Sequence, residues 1–197
     1  VFICFCLLYT SLWAGEKSIT PDKSRIIGPQ GGGQVIIKGG NVENWTSIDS
    51  IISWQIQVPH SGEYEMLLSQ ANMGHAGSKV DISAAGQIVS NTVINTANWQ
   101  TYKLLSYGKI KFDQAGQYEL RIKALTKPKR AVMNLKALIL RGDKAEKITI
   151  VKYISPFEGK AGWQAKLAAV HPSTSLHDLT PKGLSKYGLR VTGIDFL

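Results

Sequence analysis

The residue types that most often carry catalysis are present in this chain but are not arranged for it. The four histidines are scattered, and no two have the spacing at which a helix brings ligands to one metal ion. The chain contains no G-x-S-x-G nucleophile motif, no phosphate-binding Walker loop and no dinucleotide-binding fingerprint after a strand. His75, in the loop NMGHAGS, is the histidine best placed to approach a ligand, and a role within the loop is the alternative. We therefore predict no catalytic residue, no metal site and no cofactor within this sequence.

Aromatic residues in polar segments are the more informative class. Trp45 lies in the segment GGNVENWT, and Trp99 follows NTAN, with Tyr102 three positions later. A sugar presents apolar C–H faces and rings of hydroxyl groups, so its binding site needs flat aromatic surfaces beside fixed amide or charged groups. Asn134 interrupts the apolar run AVMNL and is a candidate for such an amide. A structural role is the open alternative for two of these residues. In that case Trp99 caps the core, and the amide of Asn134 forms hydrogen bonds with the backbone.

The segments that must position these side chains have the pattern of strands. Between residues 34 and 141, apolar residues recur at every second position, as in Ile52–Val58, which is typical of strands with one buried face. The pattern I-x-V-x₃-G-x-Y-x-M-x-L that starts at Ile56 returns from Ile110 as I-x-F-x₃-G-x-Y-x-L-x-I. We interpret the two copies as equivalent hairpins in one sandwich. Trp54 shares the apolar face of its strand and is assigned to the core.

This density of short strands, with 19 glycines and 7 prolines for turns, predicts an all-β fold, an antiparallel β-sandwich of the jelly-roll type. The hydrophobic fraction of 44% is sufficient for a core and argues against disorder. Further strands are predicted at Gln34–Lys38, Tyr64–Leu68, Lys79–Ala84, Gln87–Ile94, Trp99–Ser106, Ile110–Phe112, Tyr118–Ala124, Ala131–Arg141 and Ile148–Ile154.

The net charge of +9 is concentrated in one part of the chain. Residues 101–170 carry 15 basic and 5 acidic side chains, whereas residues 1–100 carry 5 basic and 7 acidic ones. A basic region of this kind attracts polyanions such as nucleic acid, anionic polysaccharide or an acidic lipid surface. The interpretation we favour is that the lysines coat the solvent-facing sides of strands. The sequence contains none of the common nucleic-acid-binding motifs, so we predict no nucleic-acid partner.

The first 15 residues have the character of a secretory signal peptide. The run VFICFCLLYTSLWA is too short for a membrane-spanning helix, and it ends in small residues near Ala14 and Gly15. Cys4 and Cys6, the only cysteines, lie within it, so the mature chain is expected to have no disulfide and no thiolate. We therefore expect a secreted or periplasmic protein with no transmembrane segment in its mature form, and a chain that starts inside a longer gene product.

Four segments between Ile52 and Leu140 resemble a known family of domains: SWQIQVPHSGEYEMLLSQAN, GSKVDISAAGQ, NTANWQTYKLLSYGKIKFDQAGQYELRIKA and AVMNLKALIL. They are similar to the galactose-binding-like β-sandwiches of carbohydrate-binding module family 6, especially those appended to α-L-fucosidases and sulfatases. In that family a loop aromatic, the Trp that opens the WQT-like strand and the Asn of the last strand often form the sugar site. The resemblance implies that Trp45, Trp99 and Asn134 bind sugar here. The family's first strand often brings Glu residues to a structural calcium ion, and GGGQVIIKGG lacks them.

The tail resembles a second family. HPSTSLHDLTPKGLSKYGLRVTGIDFL is similar to the entry segment of glucose/sorbosone dehydrogenase-like β-propellers, whose first blade begins with a G-x-D-F-L strand. The predicted organisation is a signal peptide at 1–15, the sandwich at 25–141, a linker at 142–170 and the truncated start of a propeller at 171–197. The resemblance implies a full-length protein that is a multidomain sugar dehydrogenase-like enzyme.

The function predicted for the sandwich itself is carbohydrate binding without catalysis. It would hold a downstream domain of the same polypeptide near a poly- or oligosaccharide. The alternative is a structural module that docks on the downstream domain and has no ligand of its own. In that case the basic region 101–170 would be interface or solvated surface.

Overall fold

The computed structural model describes residues 15–28 and 34–152, whose regular structure is almost entirely β-strand. Within these residues, twelve strands are joined by loops and by two short 3₁₀ turns, Pro21–Lys23 and Ala145–Lys147. The strands are β1 (Gly15–Ile19), β2 (Arg25–Ile27), β3 (Ile36–Lys38), β4 (Asn41–Glu43), β5 (Ile51–Val58), β6 (Gly62–Ala71), β7 (Lys79–Ala84), β8 (Gln87–Thr92), β9 (Lys103–Phe112), β10 (Gly116–Ala124), β11 (Asn134–Gly142) and β12 (Thr149–Val151).

The strands form two antiparallel sheets that enclose one hydrophobic core. The first sheet has the order β3-β4-β11-β6-β9, and β1 also pairs with β11. The second sheet has the order β12-β5-β10-β7-β8, and β2 also pairs with β5. The period-two positions face the core: in β5, Ile52, Trp54, Ile56 and Val58 are each 0% or 1% exposed. The predicted all-β antiparallel sandwich and the assignment of Trp54 to its core are confirmed.

The two repeated sequence units pair with each other and not within themselves. β5 and β6 belong to different sheets, as do β9 and β10, so each short turn crosses from one sheet to the other. Ile56 of β5 lies opposite Tyr118 of β10, and Tyr64 of β6 lies opposite Ile110 of β9. The prediction of two hairpins is therefore wrong, because alternation specifies which face of a strand is buried but not which strand lies beside it. We call the β5–β6 and β9–β10 units the inter-sheet arches.

The sandwich extends beyond the predicted limits of residues 25 and 141. β1 pairs along β11 before the first limit, and β12 pairs with β5 after the second. Ala145 and Ile148 are each 0% exposed, so the segment between β11 and β12 contributes to the core. The polar turn before this segment, where Lys144 has a left-handed φ of 53°, interrupts the alternation that the sequence pattern depends on.

Several sequence predictions lie outside the described residues. These are the signal-like run at 1–14 with Cys4 and Cys6, and the part of the predicted linker and propeller segment beyond residue 152. Within the described part of the chain, no helix is long and apolar enough to cross a membrane.

Side-chain amides close the flank of the sandwich between β8 and β9, which belong to different sheets. Nε2 of Gln87 donates to the backbone carbonyl of Lys111 at 2.6 Å, and Oε1 of Gln87 accepts from the backbone N–H of Lys111 at 3.1 Å. Nδ2 of Asn91 donates to the carbonyl of Ser106 at 2.7 Å. This amide seam, formed by Gln87 and Asn91, occupies backbone groups at the edge of β9 that an additional strand would otherwise pair with.

Candidate functional site

Three loops of the described chain meet where β6 ends: loop 72–78 after β6, loop 93–102 before β9 and loop 125–133 before β11. Asn72 is bonded to all three. Its Nδ2 donates to the carbonyl of Val132 at 2.8 Å, and its Oδ1 accepts from the backbone N–H of His75 at 2.7 Å. Its own backbone N–H donates to Oγ1 of Thr96 at 2.9 Å. Asn72 is 0% exposed and Thr96 2% exposed, so these bonds are shielded from water and hold the loops in a fixed arrangement.

Loop 93–102 is folded by its own asparagines. Oδ1 of Asn95 accepts from the backbone N–H two residues later at 3.0 Å. Oδ1 of Asn98 accepts from the backbone N–H groups of the second and third residues after it, at 2.8 and 2.6 Å. Asparagine forms turns of this kind because its side chain replaces a backbone acceptor. Trp99 consequently lies in a turn, and β9 begins at Lys103 rather than at the predicted Trp99.

Trp99 is half-buried and is supported by His75. The centroids of the two rings are 5.3 Å apart, and the ring planes are almost perpendicular, at 87°. Nδ1 of His75 is covered and has no hydrogen-bond partner among the described residues. The imidazole therefore acts as a packing surface for the indole, and the exposed part of the indole is free to contact a ligand.

Asn134 connects Trp99 with Tyr102. Nδ2 of Asn134 donates to the backbone carbonyl of Trp99 at 3.1 Å. Partial burial and the negative charge of Glu43 raise the pKa of the Tyr102 hydroxyl, and a hydrogen bond with Asn134 acts in the opposite direction. Nζ of Lys136 lies 5.7 Å from the centre of the Tyr102 ring, within range of a cation–π contact. Three of the four predicted site residues thus form one cluster.

Trp45 is not part of this cluster, and its predicted role as a sugar-binding wall is wrong. The residue is 0% exposed and belongs to the hydrophobic core. Its indole Nε1 donates to the carbonyl of Ser47 at 2.8 Å, so the buried ring has its polar group satisfied. The chain after β4 is irregular, with a left-handed φ of 55° at Asn44, and polar sequence neighbours do not indicate where a ring points in such a segment.

Asn72 and Thr96 were not predicted from the sequence to belong to the site. A buried polar residue is recognised by its partners in space, and the only local signal was an asparagine between an apolar strand and a glycine-containing loop. Lys136 was assigned to the solvent-facing side of a strand. It is exposed, but it also lies beside Tyr102.

The cluster has the chemistry of a binding surface, since it combines an indole, a phenol and an amide. Within residues 15–28 and 34–152, no group of three or more His, Cys, Asp or Glu side chains is placed to hold a metal ion.

Residues 26–145 match a protein family described as a domain of unknown function (DUF5077), and this match covers more than half of the chain. The chain belongs to this family. The description of DUF5077 states no activity, and no curated protein matches the chain.

The DUF5077 sandwich is similar to solved carbohydrate-binding modules. A family 35 module from Clostridium thermocellum is 20% identical, with a TM-score of 0.52 over 64% of this chain and 98% of that one. The C-terminal family 6 module of the laminarinase LamC from Zobellia galactanivorans is 19% identical, with a TM-score of 0.51 over 64% and 99%. The family 35 module of Abf62 from Cellvibrio japonicus is 15% identical, with a TM-score of 0.54 over 69% and 97%. Likeness at these identities concerns the fold, and it confirms the predicted galactose-binding-like β-sandwich.

Proposed function

We propose that this DUF5077 domain is a non-catalytic carbohydrate-binding module that binds sugar at Trp99, Tyr102 and Asn134. The observation that carries the proposal is a half-exposed indole that packs on His75 and whose backbone is held by Asn134. A rigid aromatic surface loses little conformational entropy when a sugar ring stacks on it. The likeness of the fold to carbohydrate-binding modules supports the proposal.

Each residue of the cluster has a distinct part in the proposed site. The indole of Trp99 stacks on the C–H face of a sugar ring, and the phenol of Tyr102 supplies a second apolar edge and a hydroxyl. The amide of Asn134 donates to the Trp99 carbonyl and hydrogen-bonds with Tyr102, and its carbonyl oxygen accepts from a sugar hydroxyl in the proposed site. A shallow site of this kind is expected to bind with a Kd on the order of 10⁻³–10⁻⁵ M, or roughly 4–7 kcal/mol.

We further infer that the module is exported and keeps a downstream domain of the same polypeptide close to its glycan. The signal-like run at 1–14 and the propeller-like segment at 171–197 support this inference. A structural docking module without a ligand is the alternative, and in that case Trp99 would only cap the core.

Affinity gel electrophoresis of the full chain against neutral and anionic polysaccharides tests the proposal. We expect at least one glycan to retard the wild-type chain, Trp99→Ala to abolish the retardation and Trp99→Phe to restore part of it. The matched control is Ile88→Ala, which removes an apolar side chain that is 64% exposed on the second sheet and should change nothing. Retardation that survives Trp99→Ala in a folded chain would contradict the site, and no retardation by any glycan would favour the docking module.

A further inference from the structure

The three loops around the candidate site, together with the first residues of the strands that follow them, carry positive charge and no carboxylate, although Glu43 of β4 acts on Tyr102 from outside these segments. Residues 72–79, 93–103 and 125–136 contain six lysine and arginine side chains and no aspartate or glutamate. We call these six residues the basic rim: Lys79, Lys103, Lys127, Lys129, Arg130 and Lys136.

Several cations elsewhere in the described chain are neutralised by ion pairs, although Lys17, Lys38, Lys123 and Lys147 are not. Lys109, Lys111, Arg121 and Arg141 each form a salt bridge with a carboxylate. Among the described residues, none of the six rim side chains is in a salt bridge, and all except the half-buried Lys127 are exposed. Solubility alone does not require cations to be grouped in this way, because their mutual repulsion disfavours the arrangement.

The turn at residues 127–130 packs on loop 72–78, the loop that carries His75. Nζ of Lys127 donates to the carbonyls of Lys129 and Arg130 at 3.2 and 3.1 Å, which closes the turn on itself. The ring of Pro128 packs closely on the backbone of Gly77. If Gly77 were replaced by a residue with a side chain, its Cβ would lie 3.3 Å from Cγ of the proline. Gly77 belongs to the same loop as His75, which contacts Trp99.

Lys136 brings a further rim charge to the aromatic cluster. Its Nζ is 5.7 Å from the centre of the Tyr102 ring, and it follows Asn134 in β11. Two parts of the basic rim are thus connected to the aromatic cluster. Lys136 contacts Tyr102, and the turn 127–130 packs on loop 72–78, whose His75 contacts Trp99.

We propose that the ligand of this site is a polyanionic polysaccharide, with sulfate or carboxylate groups on the basic rim and a sugar ring on Trp99. The inference rests on the proposed function, because it assigns the charge class of the glycan that the aromatic cluster binds. A neutral glycan cannot neutralise the six positive charges of the basic rim, whereas a polymer with repeated negative charges can pair with them along its length.

Binding of the full chain to dextran and to dextran sulfate tests this inference, because the two polymers share a backbone and differ in sulfate esters. We expect dextran sulfate to bind at least about tenfold more tightly than dextran, with a loss of affinity of about tenfold between low and high salt, since screening weakens exposed charges. Polygalacturonate, which carries carboxylates, is the second anionic probe. Tighter binding of either polyanion than of dextran supports the inference and identifies the anionic group.

Two double variants with the same change in net charge separate the rim from the charge of the whole protein. Lys129→Gln/Arg130→Gln removes two exposed rim charges and should weaken binding of the polyanion about tenfold. The matched control, Lys123→Gln/Lys147→Gln, removes two exposed charges that do not belong to the basic rim and should change binding less than about twofold. Equal effects of the two double variants would overturn the inference, because the attraction would then come from net charge.

Trp99→Ala separates this inference from the proposed function. The variant should weaken binding of the polyanion at least as much as the rim variant does. Trp99-dependent binding of a neutral glycan with no preference for polyanions would overturn the inference and leave the proposed function intact. Polyanion binding that depends on the rim but not on Trp99 would overturn both the inference and the proposed function. Displacement of dextran sulfate by oligodeoxythymidylate at equal concentration would also overturn both, because the surface would then be a nucleic-acid site.

Discussion

The side-chain amide of Asn72 donates a hydrogen bond to the backbone carbonyl of Val132, a residue 60 positions away in the sequence. Both residues are 0% exposed. The bond connects loop 72–78 to loop 125–133 at the point where the second loop enters β11, which carries Asn134. The geometry of the proposed sugar site therefore depends on one buried amide that does not contact the sugar.

Asn72→Ala should destabilise the domain and weaken glycan binding together. The substitution leaves the Val132 carbonyl without its partner in a dry environment, and we expect a loss of about 1–3 kcal/mol in the free energy of unfolding. Urea unfolding measures this loss, and affinity electrophoresis below the unfolding midpoint measures binding. Gln117→Ala, at an exposed position on the second sheet, should alter neither quantity. Full binding in the Asn72→Ala variant would mean that the loops hold their arrangement without this amide.

Trp45→Ala should behave as a core substitution and not as a site substitution. Its ring is 0% exposed, so removing it leaves a cavity, and we expect a loss of about 3–5 kcal/mol in the free energy of unfolding. Trp99→Ala removes a half-exposed ring and should cost less than half as much. Guanidinium unfolding of the two variants side by side gives the comparison. A smaller loss for Trp45→Ala than for Trp99→Ala would contradict the placement of both rings.

Glu119 should make stability depend on pH in the acid range. Hydrogen bonds from Arg121, Ser53 and Arg25 hold the pKa of this carboxyl at about 2, below the ordinary value of 4.5. The folded state therefore favours the ionised form, so the contribution is complete above pH 4.5 and is lost as the pH falls toward about 2.

Glu119→Gln is the variant that isolates this contribution. It should lower the free energy of unfolding by about 1–2 kcal/mol at neutral pH, after allowance for solvent screening, and the difference from wild type should shrink across the acid range. Denaturant unfolding at a series of pH values provides the measurement. Asp113→Asn removes an exposed carboxylate that pairs with Lys111 and should cause a smaller, flatter change. A difference for Glu119→Gln that stays constant down to pH 2 would be inconsistent with the lowered pKa.

Gln87→Ala should open the flank between β8 and β9. The variant removes both hydrogen bonds to the Lys111 backbone, and we expect a loss of about 1–2 kcal/mol in the free energy of unfolding. It also exposes the edge of β9, so the variant should form multimers at lower concentration than wild type. Light scattering during a concentration series measures this tendency. Gln117→Ala again serves as the control, and identical scattering for all three chains would argue against a protective role of the amide seam.

The faces of the strands could be predicted from the sequence, but the partners of the strands could not. β7 was predicted with the bounds it has, Lys79–Ala84, because alternation is strict there and Gly86 marks the turn that follows. The same alternation led to hairpins where the inter-sheet arches lie, since a two-residue period is satisfied by either arrangement.

The candidate site was predictable only where its residues follow a strand pattern or a family resemblance. Trp99, Tyr102 and Asn134 were predicted in this way and lie together in the structure, and Trp45 was misplaced because its segment is irregular and carries no periodic signal. Asn72 was missed because its importance comes from partners in two other loops, which are distant in the sequence.

The inter-sheet arches have a consequence for the order in which the chain folds. When β5 and β6 leave the ribosome, the three-residue β2 is the only partner strand already synthesised for either of them among the described strands, because β10 and β9 follow much later. Most of the first arch therefore stays unpaired until the second arch is complete, and then the two arches pair together. Folding of this domain is therefore expected to be a late and cooperative event on a timescale of milliseconds to seconds, and the nascent first arch is the species most in need of a chaperone.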